Sequence, residues 1–150
     1  MNKEELLQFI NENIKDEFDF TGGVDESKVR YIETKLNVTL PSSYKWFLQT
    51  FGMGGIFGVD ILGFGKSPSP PVVTQTERYR KLGLPIAYVV IENCDEFVYC
   101  LATDNMLNEE CPVISWDRID GFDSEEAGNF IEFLAERFSD AKEDSDFTEE

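Results

Sequence analysis

The chain has 150 residues, with 30 acidic side chains, 13 basic ones and no histidine, giving a formal net charge of -17 at pH 7. That charge opposes contact with nucleic acid phosphates, and no basic patch offsets it. The missing imidazole removes the commonest general base and metal ligand, and the net negative charge suits the surface to attracting a cationic macromolecule.

The length fits one domain, since a chain of this size hides roughly two thirds of its unfolded surface, and 41% of the residues are apolar. No uncharged apolar stretch reaches the roughly eighteen residues a membrane span needs. The start, Met1-Asn2-Lys3-Glu4-Glu5, is acidic where a secretion signal is basic and then apolar, which predicts a cytoplasmic protein with no membrane contact. Cys94, Cys100 and Cys111 are odd in number and lack CxxC spacing, so they read as reduced thiols in or near the core.

Leu6, Leu7, Ile10 and Ile14 recur at helical spacing behind Asn2 and Glu5, a pair able to form a capping box. After a loop ending in Gly22-Gly23, a second helix is expected from Asp25, burying Val29, Ile32 and Leu36, with Asn37 as its left-handed terminal residue. Pro41 sets the start of a third helix whose inward face is Tyr44, Phe47, Leu48 and Phe51, with Trp46 beside it, and Gly52 stops it. The glycines of 52–58 read as a turn feeding a strand over Val59, Ile61 and Leu62. A short helix is expected over 72–82, closed by Gly83.

Ile86 to Ile91 lacks charge and is rich in β-branched residues, the composition of a central strand. A polar link, 92–96, joins it as a hairpin to Phe97-Val98-Tyr99-Cys100-Leu101, and Val113 to Trp116 is a third strand. Asp123 with Glu126 reads as the cap of a last helix burying Phe130, Ile131, Leu134 and Phe138. Composition divides the chain into a domain over 1–139 and an acidic, flexible tail over 140–150. The fold class is α+β, with a mainly antiparallel central sheet flanked by N- and C-terminal helices.

Motifs for chemistry fail on inspection. Gly65-Lys66-Ser67 resembles the end of a phosphate loop, but Asp60 stands where its first glycine belongs and Pro68, Pro70 and Pro71 follow. Asp117, Asp120 and Asp123 lack the alternation and central glycine of a calcium loop. Carboxylate pairs such as Glu92 and Glu110 arise by chance among so many acids, and Cys94 has no histidine to activate it. No catalytic residue, cofactor or metal is therefore assigned.

Ile32-Glu33 through Leu36, Leu40-Pro41, Tyr44, Phe47-Leu48, Gly52, Gly54 and Gly55 resemble the SUKH superfamily, also called SMI1/KNR4. Its pattern is a helix ending in leucine and usually glycine, a Leu-Pro pair, a tyrosine-bearing helix and a glycine turn. Asn37 replaces the first glycine. The resemblance continues through the Tyr99-Cys100-Leu101 strand, the Pro112-Val113 to Trp116 strand and the Phe130 to Leu134 helix, covering about 24–138.

The resemblance implies a non-enzymatic binding role. In the bacterial branch that is an immunity protein neutralising a cognate polymorphic toxin, with a basic nuclease as the partner that acidity favours; the alternative is an intracellular regulatory or scaffold protein with an unrelated protein partner. Candidate partner contacts are Glu92, Asp95, Glu96, Glu109, Glu110 and Asp117, with Trp116 as an aromatic anchor, all in or beside loops between the expected strands. Homo-oligomerisation is left open.

Overall fold

The computed structural model describes residues 1–148. Helix α1 (Lys3–Asn13) opens with a reciprocal cap: Asn2 Oδ1 accepts from the Glu5 N–H at 2.8 Å, and the Glu5 carboxylate accepts from the Asn2 N–H at 3.2 Å. Asp25 starts α2 (Glu26–Leu36) by accepting the Lys28 N–H, and Asn37 ends it in the left-handed region at φ 56°. The short link to α3 (Ser42–Thr50) is pinned by Glu33, whose carboxylate accepts the Leu40 N–H at 2.8 Å. The apolar faces of these helices, Leu6, Ile10, Val29, Ile32, Leu36, Tyr44, Phe47 and Leu48, form one side of the core.

No strand forms over 59–62. Only isolated pairings occur there, Phe20 with Gly54 and Gly54 with Ile61. Three loop segments instead cross backbone against backbone: Thr21 N–H donates to Met53 O, Gly22 N–H to Phe51 O, Gly55 N–H to Asp19 O and Phe64 N–H to Gly52 O. The apolar residues that look like a strand, Ile56, Val59, Ile61, Leu62 and Phe64, serve to plug this irregular loop into the core. Tyr44 closes the arrangement, donating its buried hydroxyl to Leu62 O at 2.7 Å.

Helix α4 (Pro71–Arg80) leads into a four-stranded antiparallel sheet of β1 (Tyr88–Asn93), β2 (Val98–Ala102), β3 (Val113–Asp117) and β4 (Gly121–Ala127), in the order β1-β2-β3-β4. The run expected to be central is therefore at an edge. It is apolar because α4 and the preceding loop cover it: Val90 N–H donates to Thr76 Oγ1 at 2.9 Å, and Leu62 N–H donates to Ile91 O at 2.7 Å. A covered edge has the burial and hydrogen-bond satisfaction of an interior strand.

Residues 121–127 are β4, not the start of a helix. Helix α5 (Phe130–Thr148) begins after Asn129, whose Oδ1 accepts the Glu132 N–H at 2.9 Å, while Glu132 accepts the Gly128 N–H. Asp123 with Glu126 and Asn129 with Glu132 are equivalent cap patterns, but only the second is followed at once by the apolar face Phe130, Phe133, Leu134 and Phe138. Phe130 then packs edge-on to Tyr44 and Phe47 at centroid distances of 5.2 and 5.6 Å, joining α5 to α3. The helix runs past position 139; Ala141 packs on the core and Lys142 lies over the Phe9 ring, while residues 149 and 150 lie outside the described residues. Among the described residues, no helix is long and apolar enough to cross a membrane.

Candidate partner-binding face

The end of α4, the β1–β2 turn and the β3–β4 turn converge on a cleft of about 510 Å³. Asn93 builds one wall. Its Oδ1 accepts the Asp95 N–H at 2.9 Å and the Tyr79 hydroxyl at 3.3 Å, and its amide donates to Gln75 Oε1 at 3.1 Å, so the turn is stitched to α4. Asp95 takes the left-handed conformation at φ 67°, and Asp95 and Glu96 both stand exposed.

Asp117 builds the opposite wall. Its Oδ1 accepts the N–H groups of Ile119 and Asp120 at 2.9 and 2.6 Å, a side-chain-closed turn that projects Ile119 outward at 88% exposure. Tyr79, Leu82, Phe97 and Ile119 supply apolar surface, Asp95, Glu96, Asp117 and Asp120 supply carboxylates, and Arg78 and Arg118 also line the cleft. Trp116 lies beneath, 4% exposed and edge-on to Tyr79 at 6.3 Å. It supports the lining from below and is no exposed anchor; the exposed apolar groups of the cleft are Ile119 and Leu82.

The structure thus brings together Asp95, Glu96 and Asp117, and sets the other sequence candidates elsewhere. Glu92 is buried, and both its carboxylate oxygens are bonded to Arg137 of α5, Oε1 to Nε at 2.9 Å and Oε2 to Nη2 at 2.6 Å. Glu110 accepts the backbone N–H of Ser43 at 3.1 Å and the Ser43 hydroxyl, supplying α3 with the N-terminal acceptor that Pro41 cannot provide. Glu109 accepts the Ser42 N–H through its carbonyl, and its side chain borders a separate hollow of about 570 Å³ with Val38, Ile86 and Met106. Tyr79, Leu82 and Ile119 were not singled out by sequence. An isoleucine in the charged turn Asp117-Arg118-Ile119-Asp120 is the one signal that marks an exposed apolar contact.

Neither Cys94, beside this face, nor Cys111, at the other end of β3, is a good nucleophile. Burial, and then the neighbouring Glu92 charge, pushes the Cys94 thiol up to about 11, and burial pushes Cys111 up to about 12, so both are protonated near neutral pH. Among the described residues, no group of three or more His, Cys, Asp or Glu side chains is placed to hold a metal ion. The arrangement offers shape, charge and exposed apolar area, which are the means of binding.

The helix-flanked antiparallel sheet defines a small α+β domain. Residues 3–139 match the SUKH_5 family, described as SMI1-KNR4 cell-wall, and the chain belongs to that family. Its members are typically non-catalytic, which supports a binding role in general. The fold is also that of a solved structure, the crystal structure of a protein from Pseudomonas syringae pv. tomato, with a TM-score of 0.65 and 21% identity over 81% of this chain and 87% of that chain.

Proposed function

We propose that this protein is a cytoplasmic immunity protein that binds a cognate polymorphic toxin, a basic nuclease, and covers its active site or nucleic-acid cleft. The observation that carries this reading is the cleft lined by Asp95, Glu96, Asp117 and Asp120 together with Leu82, Phe97 and Ile119, where four carboxylates outnumber the two arginines, Arg78 and Arg118, on a chain of net charge -17. Nuclease clefts are basic because they hold phosphates, so opposite charge accelerates capture. Exposed ion pairs contribute only about 0–1 kcal/mol each. Residence must therefore come from desolvated apolar contacts, and Ile119 and Leu82 are placed to supply them.

Co-expression with the polymorphic toxin encoded nearest the gene tests this directly, with a mismatched toxin as control. Survival is expected with the matched toxin alone. The quadruple variant Asp95→Asn, Glu96→Gln, Asp117→Asn, Ile119→Ser should lose that protection while folding normally, since asparagine at 117 retains the oxygen that closes the turn. Equal protection against both toxins, or none against either, would reject the immunity role; the latter would favour the regulatory or scaffold role.

A further inference from the structure

The two edges of the sheet are treated differently. The outer side of β1 is occupied by Thr76 and by the backbone of Leu62, whereas among the described residues no strand lies on the side of β4 away from β3, and residues 122–126 are all exposed. An uncovered edge presents a row of backbone donors and acceptors that a further strand can use. Here that row carries Asp123, Glu125 and Glu126, and it begins at Phe122, 54% exposed, two residues after the turn that holds Ile119 at the cleft mouth.

Acidic side chains and register irregularities at β4, between the pairs Val113/Ile114 and Ser115/Trp116, are a usual defence against pairing with another copy. The defence is selective by sign. A second chain of net charge -17 is repelled, while an extended segment bearing lysine or arginine is attracted. A purely defensive edge also has no use for an exposed aromatic at its entrance. We infer that β4 is a docking edge on which an extended, basic segment of the protein partner adds as a further strand, with cationic side chains facing Glu125 and its end reaching Ile119; Asp123, bulged out of register and bonded to the Ser115 hydroxyl, lies on the other face. This deepens the partner-binding reading above and rests on it.

The test uses the whole chain and a short synthetic peptide of alternating lysine and valine, alongside the same peptide N-methylated on the amides of one edge. Both carry the same charge. Strand addition predicts slowed amide hydrogen exchange within 121–127 on binding the first peptide, about tenfold weaker binding of the methylated one, and no slowing by it. Glu125→Lys should weaken the first peptide and leave the fold intact. Equal affinity for the two peptides, or slowing confined to other elements, would overturn the inference. No toxin is needed, so failure here with selective survival intact removes strand addition alone, and failure of survival with the peptide ladder intact removes the immunity reading.

Discussion

Replacing Arg137 by methionine is expected to lower the unfolding free energy by about 3 kcal/mol, because it leaves the Glu92 carboxylate in the interior without its partner. Glu92 has 6% side-chain exposure and Arg137 has 30%, so the acid bears the greater desolvation and the arginine retains some access to water. The pair holds α5 against β1, beneath the turn that carries Asp95. Urea unfolding of Arg137→Met and of Glu92→Gln with Arg137→Met separates the causes. The double variant, which has no buried charge to strand, should recover more than half the loss. A single variant as stable as the parent would show that the buried Glu92 carboxylate does not depend on Arg137.

Gly52→Ala should be more damaging than its size indicates, costing about 3 kcal/mol or more. Gly52 has φ +77°, and an added Cβ would lie 2.2 Å from Gly22 O, a backbone atom fixed in the crossing of the three loop segments. Gly58 provides the comparison, with φ +82° and nothing within 4 Å of an added Cβ. Gly58→Ala therefore carries the conformational penalty alone, about 1 kcal/mol. Thermal or urea unfolding of both variants measures the difference, which is the energy of the close backbone approach. Equal losses would contradict the backbone-crossing account of the loop.

What the sequence made legible was local. Asn2 with Glu5, Asp25 and Asn37 mark helix ends through contacts within a few residues, and all three act as their chemistry indicates. The β-rich run at Ile86 to Ile91 does form a buried strand, but nothing local says whether a strand or the α4 side chain Thr76 covers its outer side. The last helix was displaced because two cap patterns lie close together and the choice depends on which apolar face meets Tyr44 and Phe47, residues far back in the chain.

The candidate site divides the same way. Asp95, Glu96 and Asp117 were legible because turns between strands emerge at one end of a sheet, and the structure gathers them in one cleft. Tyr79 and Leu82 come from a helix whose docking is a tertiary event. Glu92 and Glu110 look like free surface acids until Arg137 and Ser43, 45 and 67 residues distant, are brought to them. Charge counted along a chain cannot distinguish a carboxylate offered to a partner from one spent on the fold.

The central claim is capture of a basic protein by long-range attraction followed by apolar seating in the cleft. Stopped-flow binding to the toxin encoded nearest the gene, repeated across ionic strength, addresses it most directly. The on-rate should fall about tenfold or more between low and physiological salt, with the off-rate nearly constant, and neutralising Asp95, Glu96 and Asp117 should flatten that dependence. An on-rate indifferent to salt, or the absence of any complex, would contradict it.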